Sequence, residues 1–382
     1  MKIAVNCRLL QKGKLEGIGW FMYETLKRIT TGHPEHTFYF IFDRPYDEDF
    51  IFSDNVRPVV AGPPARHPFQ WAIWMELVIP RVLKKINADI FFSPDGYLSL
   101  RTDKPSVAVI HDINFAHRPG DLPFWTRHYY NYFFPRYARK AKRIVTVSSY
   151  SKSDIHHTYG IDLPLIHVVY NGANKKYKPA GEKQKHAIRE KYTGGKPYFL
   201  FIGSIHPRKN LDNLLRAFSS FVIETGSDIK MVIVGKAMWR QSRILKNTVP
   251  AEVESQIVFT GRLESSELSG VLSAALALTF VPWFEGFGIP VLEAMYAGVP
   301  VLTSSQTSLP EVAGRAAIYA HPGKIAEISE GMKKLAFDEE LRAKLIARGE
   351  KQKNKFSWDK TAAKTWKSLE TVLRGISVQN EI

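Results

Sequence analysis

The stretch "FEGFGIPVLEAMYAGVPVLTS", residues 284–304, places two glutamates around two glycines and a proline, directly after the apolar run "ALALTFVPW". That run has the composition of a buried strand, and the glycines weaken any helix across residues 285–288. Pro290 suits the first turn of a new helix, so Glu285 follows the strand and Glu293 lies about one turn into the helix. The stretch predicts a strand–turn–helix unit at the carboxyl edge of a parallel sheet, where open α/β folds bind ligands.

Short apolar runs of this kind alternate with segments of helical period along the chain, which predicts α/β architecture with two parallel sheets. The runs are "KIAVN", "TFYFIF", "ADIFFS", "SVAVIHD" and "RIVTVS" in the first half, then "YFLFIG", "KMVIVG", "IVFTG", "ALTFVPW" and "VPVLTS". A polar, lysine-rich connector separates the two sets. We therefore predict a Rossmann-like domain at residues 1–173, a linker at 174–196 and a second Rossmann-like domain at 197–357.

Residues 358–382 are predicted to form a C-terminal helix that could cross back to the first domain. Ser357 or Asp359 could cap its start, and Gly375 could end it.

The composition is that of a globular protein whose partners are anionic. The 382 residues are 45% hydrophobic and 24% charged, with a formal net charge of +16. This excess of positive charge favours a phosphorylated small molecule, anionic lipid or nucleic acid as a partner. Cys7 is the single cysteine and the amino terminus has no long apolar run, so we expect a cytoplasmic protein without a membrane span. Action at the inner face of the membrane stays open as an alternative to a location away from it.

A second motif, "FIGSIHPRKNLDNLLRAF", follows a predicted strand and opens a predicted helix. Arg208 and Lys209 lie at the amino terminus of that helix, where two cations oppose the helix dipole. A bound diphosphate would be favoured both by these cations and by the helix amides, so the motif predicts a phosphate site.

These motifs together resemble the group 1 retaining glycosyltransferases, which have the GT-B fold of two Rossmann-like domains facing a central cleft. The resemblance is strong from about residue 198 to 314 and weaker through "IHD", "VTVSSYSKSDI" and "VVYNGAN". It implies transfer of a sugar from a nucleotide diphosphate donor to an acceptor hydroxyl with retention at the anomeric carbon. The "PRKN" form is similar to mannosyltransferases of surface polysaccharide synthesis, so GDP-mannose is the first expected donor and a UDP-hexose the second.

The resemblance also implies roles for individual residues of the second domain. Glu285 would lie beside the donor sugar, Glu293 would accept hydrogen bonds from the ribose, and Arg208 and Lys209 would stabilise the departing diphosphate. Ser204 stands where many members have another arginine, which leaves Arg208 as the main one. The remaining donor contacts would come from the turn and from a loop that reads the nucleobase, namely Phe287, Gly288, Ile289, Arg262 and Leu263.

In the first domain, Gly17 and Gly19 lie between the first strand and a helix, where glycine lets a backbone approach a ligand closely. The third glycine of a dinucleotide fingerprint is absent, which disfavours NAD. The resemblance implies that these amides contact the donor phosphate or the acceptor, although a tight turn remains an alternative. His111 matches a family histidine near the reacting sugar, and Asp112 is a further candidate.

We predict no cofactor and no metal. The acidic run Asp47–Asp49 has a metal-binding spacing but lies in a polar loop, and Arg208, Lys209 and helix amides could neutralise the diphosphate without a cation.

The segment "LPFWTRHYYNYFFPRYARKAKRI" combines eight aromatic residues with six lysines or arginines and no acid. Trp125, Tyr129, Tyr132 and Phe133 have helical spacing and are expected to pack inward, which would leave a basic face outside. Peripheral contact with an anionic membrane is therefore a possible property of the protein.

Two rival function classes stay open at this point. A nucleic-acid-binding protein would explain the charge and the aromatics but not the "PRKN" or two-glutamate motifs, and a nucleotide-sugar epimerase or phosphorylase would use a similar fold. We expect a metal-independent hexosyltransferase acting on a glycan or lipid-linked acceptor, without nucleic acid.

Overall fold

The computed structural model describes residues 1–174, 176–235 and 248–380, and these form two compact units. Unit 1 comprises residues 1–172 together with the chain from Ser357 onward, and unit 2 comprises Ala173–Phe356. Each unit is built around its own parallel sheet, which agrees with the predicted α/β class.

Unit 1 contains a seven-stranded sheet in the order β3-β2-β1-β4-β5-β6-β7, with every pair parallel. The strands are β1 Lys2–Asn6, β2 Thr37–Phe42, β3 Val56–Val60, β4 Ile90–Ser93, β5 Ser106–Val109, β6 Arg143–Thr146 and β7 Ile166–Val168. The helices are α1 Gly17–Gly32, α2 Pro68–Ile73, α3 Ile79–Lys85, α4 Asn114–His117, α5 Phe124–Lys140 and α6 Ser149–Tyr159. A π-helical segment, Trp74–Val78, joins α2 to α3.

Unit 2 contains a six-stranded sheet in the order β10-β9-β8-β11-β12-β13, also parallel throughout. The strands are β8 Tyr198–Ile202, β9 Lys230–Val234, β10 Ile257–Gly261, β11 Ala277–Phe280, β12 Val301–Ser304 and β13 Ala317–Ala320. The helices described in this unit are α7 Glu182–Thr193, α8 Leu211–Thr225, α9 Ala251–Glu254, α10 Ser265–Ser273, α11 Ile289–Tyr296, α12 Leu309–Ala313, α13 Ile325–Phe337 and α14 Glu339–Lys353.

The predicted linker at 174–196 is part of unit 2 and contains α7. Arg189 of this helix donates its Nε to the carbonyl of Ala274 at 3.1 Å, and Ile188 packs against Gly270 of α10. These contacts attach α7 to α10 and to the residue that follows it. The segment is therefore part of unit 2, although its polar composition is typical of a connector.

The last helix, α15 Trp358–Asn380, packs against α1 and contributes Trp358, Trp366 and Leu369 to the core of unit 1. The Ser357 hydroxyl accepts a hydrogen bond from the Lys360 amide at 3.2 Å, so its predicted capping role is confirmed. The predicted end at Gly375 is wrong: the helix continues to Asn380, since one glycine weakens a helix without stopping it.

None of the helices in the described ranges is both long and apolar enough to span a bilayer.

Candidate active site

The predicted motifs of unit 2 follow β8 and β11, which are neighbours in the middle of its sheet. From β8 the chain builds outward through β9 to β10, and it then returns to place β11 on the other side of β8. The two loops therefore leave the sheet at its topological switch point. In open α/β sheets this point is where adjacent loops diverge and leave room for a ligand.

The first loop is held to the second by Asn210. This residue follows a short 3-10 helix, Pro207–Lys209, and has a left-handed backbone with φ of 60°, which asparagine adopts more readily than most residues. Its buried Nδ2 donates to the carbonyl of Val281 at 3.0 Å and to that of Pro322 at 2.7 Å. The loop that carries the two cations is thus fixed to the carboxyl end of β11.

Arg208, Lys209 and Glu285, predicted as catalytic residues, meet at this point. Lys209 Nζ lies 2.5 Å from Glu285 Oε2, and Arg208 Nη1 lies 2.9 Å from the same oxygen. Arg208 also donates to the carbonyl of Phe284 at 3.3 Å. The side chains of Lys209 and Glu285 are only 8% and 14% exposed, so the ion pairs form in a largely dry environment.

The charge balance of this cluster favours an additional anion. Burial opposes ionisation of Glu285, but the charges of Lys209 and Arg208 outweigh it and lower the pKa of the carboxyl group. One carboxylate facing two cations leaves a net positive charge in a region of low dielectric. Such a site can stabilise negative charge that develops on a ligand.

The backbone of Glu285 is clamped by the loop after β12. Its amide donates to Thr307 Oγ1 at 3.3 Å, and the Ser308 hydroxyl donates to its carbonyl at 2.8 Å. Thr307 has a φ of 60°, an uncommon conformation for a β-branched residue. The surrounding loops therefore hold the carboxylate rather than leaving it on a mobile segment.

The turn after Glu285 requires glycine at position 288. Gly288 has a φ of 96°, and a Cβ there would lie 2.5 Å from Leu309 Cδ2. Phe287 is buried with its ring against that of Phe356, at a centroid distance of 5.6 Å. The helix α11 then begins at Ile289, as the glycine and proline pattern predicts.

Glu293 lies in α11 and has partners that the sequence motifs do not indicate. The hydroxyl of buried Tyr177 hydrogen-bonds its carboxyl group, and the Lys176 ammonium lies 5.2 Å from the Tyr177 ring centroid. Burial raises the pKa of Glu293 to about 7, while the Tyr177 hydrogen bond and the Lys176 charge oppose the rise. Only the fold brings these residues together, because they are separated by more than a hundred positions.

Arg262 and Leu263 follow β10 at the same carboxyl edge, but on the outer strand, with β9 between β10 and β8. Arg262 is exposed and Leu263 is half-buried. They are therefore placed beside the switch point rather than in the cluster around Glu285.

In unit 1, His111 follows β5 and donates from Nε2 to the carbonyl of Pro94 at 2.9 Å. Its ring packs edge-on against Phe21 at 5.0 Å, and burial lowers its pKa. A neutral ring is therefore favoured near pH 7. Asp112 accepts a hydrogen bond from the Asn114 amide at 3.1 Å, which fixes the start of α4.

Gly17 and Gly19 are not loop residues as the sequence pattern suggests, because α1 begins at Gly17. A Cβ at Gly19 would lie 3.1 Å from Leu15 Cδ2 and 3.3 Å from the carbonyl of Leu9. Gly19 thus allows the preceding loop to pack on the first turn of the helix. Gly17 is exposed.

The acidic run after β2 contacts a lysine. Asp47 and Asp49 lie 3.1 and 2.7 Å from Lys12 Nζ, and Asp47 accepts a hydrogen bond from the Asp49 amide. Within residues 1–174, 176–235 and 248–380, no group of three or more His, Cys, Asp or Glu side chains is placed to hold a metal ion.

Comparison with known proteins identifies the family. The sequence model for glycosyl transferases group 1 matches residues 182–352, and that for glycosyltransferase family 4 matches residues 16–177. O-antigen chain mannosyltransferase B of Escherichia coli is 30% identical over 277 residues, which cover 72% of each chain. O-antigen chain mannosyltransferase RfbU of Salmonella typhimurium is 26% identical over 257 residues, or 67% of each chain.

Solved structures with the same fold include WaaG, a glycosyltransferase involved in lipopolysaccharide biosynthesis, with a TM-score of 0.74 and 15% identity over 95% of this chain and 98% of that one. Anabaena HepE in complex with UDP and glucose also has a TM-score of 0.74, with 15% identity over 97% and 99% of the two chains. The chain therefore belongs to the group 1 glycosyltransferase family and has the GT-B fold.

Proposed function

We propose that this protein is a retaining, metal-independent hexosyltransferase that transfers mannose from GDP-mannose to a hydroxyl of a glycan or glycolipid acceptor in surface polysaccharide biosynthesis. The mannosyltransferases among its relatives support this donor sugar and this process. A UDP-hexose is the second candidate donor, supported by the HepE complex with UDP and glucose.

The observation that carries the proposal is the convergence of Arg208 and Lys209 on Glu285 at the switch point of unit 2. As the bond between the sugar and the diphosphate breaks, negative charge grows on the leaving phosphate oxygen. The two cations and the nearby amides of Phe287, Gly288 and Ile289 would stabilise that charge more strongly in the transition state than in the bound donor. Such differential binding lowers the barrier and replaces the role of a metal ion.

Retention at the anomeric carbon requires the acceptor to attack from the face that the diphosphate leaves. In the proposed step the acceptor oxygen forms a bond to the anomeric carbon, the bond to the diphosphate breaks, and the acceptor proton passes to a departing phosphate oxygen. Glu285 is ion-paired with two cations, which weakens it as a nucleophile and suits it instead to orient the sugar.

The remaining predicted residues have binding roles in this proposal. The two carboxylate oxygens of Glu293 would accept hydrogen bonds from the ribose hydroxyls, and the backbone at Arg262 and Leu263 would contact the base. In unit 1, His111 would contact the transferred sugar, while the amides at Gly17 and Gly19 would contact the donor phosphate or the acceptor.

We place the reaction in the cytoplasm, where nucleotide sugars would be available to it. A lipid-linked acceptor would be held at a membrane surface, so the proposal includes peripheral contact with the inner face of an anionic membrane.

A donor-binding and turnover experiment tests this function. Thermal-shift measurements with GDP-mannose, UDP-glucose and other nucleotide sugars, with and without EDTA, should give the largest stabilisation for the true donor in both conditions. Donor turnover should then fall by about a hundredfold or more in Lys209→Met, because a preorganised charge at the leaving group is removed.

Lys344→Met is the matched control, since Lys344 lies on α14 with its side chain 58% exposed. Wild-type turnover in Lys209→Met, or donor stabilisation that disappears with EDTA, would contradict the proposed site.

A further inference from the structure

The outward face of α5 exposes large aromatic side chains. Phe124 is 55% exposed, Trp125 67% and Tyr132 53%. The expectation that Trp125 and Tyr132 pack inward is therefore wrong. Helix α5 is instead oriented with Tyr129, Phe134 and Tyr137 in the core of unit 1.

These rings lie on one stripe of the helix with basic residues. Positions 125, 128, 132 and 136 are spaced by three or four residues, so Trp125, His128, Tyr132 and Arg136 follow one another along the same side. All four are exposed, and at a rise of about 1.5 Å per residue they extend over roughly 17 Å. We refer to Phe124, Trp125, His128, Tyr132, Arg136 and Arg139 as the α5 face.

Cations and rings of this helix are in direct contact. The Arg136 guanidinium lies 3.7 Å from the centroid of Tyr132 and donates to the Tyr132 carbonyl at 2.5 Å. The Arg127 guanidinium lies 5.5 Å from the centroid of Phe124. Such pairing keeps each guanidinium beside an aromatic ring while the remaining N–H groups stay available to an anion.

The α5 face has no acidic residue of its own. The sequence contains no Asp or Glu between positions 122 and 153, so the helix cannot neutralise its cations internally. Arg139 is exposed and lies three residues beyond Arg136, which extends the basic end of the face. The aromatic pair Phe124–Trp125 marks the other end, with ring centroids 5.2 Å apart.

The neighbouring helix α2 has the same character. It packs on α5 through Trp71, whose ring lies nearly parallel to that of Tyr130 at 5.7 Å. Phe69 on this helix is 71% exposed, and Arg66 just before it is also exposed. Exposed aromatics accompanied by arginines thus occur on two packed helices of unit 1.

We propose that the α5 face docks unit 1 onto an anionic lipid bilayer. Trp125 would enter the boundary between headgroups and acyl chains, where a ring with a polar N–H group is favoured, and the apolar ring of Phe124 would insert beside it. Arg136 and Arg139 would contact lipid phosphates, and Tyr132 would lie at the headgroup level between them. This surface gives the membrane contact in the proposed function a definite location.

Vesicle sedimentation with the full chain tests the proposal. Wild type should partition onto vesicles of phosphatidylcholine with phosphatidylglycerol, should bind pure phosphatidylcholine far less, and should be released by salt because the cations contribute. The double variant Phe124→Ser/Trp125→Ser and the double variant Arg136→Gln/Arg139→Gln should each lower the partition coefficient by about tenfold or more.

Two matched controls should leave vesicle binding unchanged. Phe337→Ser removes an aromatic side chain that is 64% exposed on α13, and Arg374→Gln removes an arginine that is 76% exposed on α15. The replaced residues of the α5 face are at the surface, so the melting temperatures should stay near that of wild type. If a double variant has a lower melting temperature than wild type, the single variant Trp125→Tyr is used in its place. This variant should retain part of the vesicle binding.

Equal partitioning of wild type and the α5-face variants, or no binding of wild type to anionic vesicles, would overturn the proposal. The proposal would also be wrong if wild type did not bind vesicles and the same substitutions abolished its binding to a single-stranded oligonucleotide. Sugar transfer to a short water-soluble acceptor should be equal in wild type and all these variants. Failure of membrane docking is therefore distinguishable from failure of the proposed reaction.

Discussion

Replacing Glu293 by glutamine should stabilise the protein at alkaline pH and not at acidic pH. The carboxyl group of Glu293 has its pKa raised from 4.5 to about 7 by burial. A raised pKa means that the folded state binds the proton more tightly than the unfolded chain. Ionisation of Glu293 therefore costs stability, and the cost appears as the pH rises from about 4.5 through 7.

The magnitude follows from the two pKa values. Each pH unit between them corresponds to about 1.4 kcal/mol, so an ionised Glu293 costs about 3 kcal/mol at pH 8. At pH 5 the same linkage gives a cost of less than about 1 kcal/mol, because most folded molecules keep the proton. Glutamine has no charge to desolvate and removes the pH-dependent part of the cost.

The assay is the melting temperature of Glu293→Gln relative to wild type between pH 5 and pH 8. A change of 1 kcal/mol shifts the melting temperature by roughly 2–4 °C in a unit of this size, so the advantage of the variant should grow by about 4–8 °C across this range. Glu340→Gln is the control, since the Glu340 side chain is 79% exposed, and it should show no such growth. An advantage that stayed constant with pH would refute the reasoning.

Two further predictions concern the same unit. Nucleotide-sugar affinity should fall by about tenfold from pH 8 to pH 6 as Glu293 takes up a proton. Tyr177→Phe should move that fall to higher pH, because it removes a hydrogen bond that lowers the pKa of Glu293. A dissociation constant that calorimetry finds independent of pH would contradict this prediction. Gly288→Ala should lower the melting temperature by several degrees, since a Cβ at φ of 96° would lie 2.5 Å from Leu309 Cδ2 and cost about 1–3 kcal/mol. Gly181→Ala, at an open position with an ordinary backbone, is its control and should leave the melting temperature unchanged.

The central strands were predictable from the sequence, but three of the strands at sheet edges were not. The missed strands are β3, β7 and β13, each at an edge of its sheet. β3 contains Pro58, which cannot donate to a ladder and is tolerated at an edge. β7 and β13 each have a single fully buried residue, so neither shows the continuous buried apolar run of the central strands. Edge strands bury less surface and therefore leave a weaker pattern.

The orientation of α5 was not predictable for a different reason. Eight aromatic residues in one segment leave apolar side chains on every side of the helix, so helical spacing cannot choose the buried face. The buried face of α5 is determined instead by the side chains of unit 1 that contact the helix. Trp71, for example, packs against Tyr129 and Tyr130.

The candidate site was predictable where a motif is local and not where it depends on distant segments. Glycine and proline positions fix the turn after Glu285 and the start of α11, because they act on the backbone within a few residues. The contact of Tyr177 with Glu293 and the tie of Asn210 to Pro322 join residues that are far apart in the chain. The spacing of residues within a local motif does not predict such contacts.

Unit 2 is an insertion within unit 1, because the chain leaves unit 1 after Gly172 and re-enters it at Ser357. The exit and the re-entry are adjacent: a Cβ on Gly172 would lie 2.4 Å from the Trp358 nitrogen. A direct peptide connection across this junction would let unit 1 be produced as a single continuous polypeptide, with α15 still covering its core. Residues 173–356 could likewise be expressed separately, which would allow the proposed nucleotide recognition and the proposed lipid attachment to be tested on individual fragments.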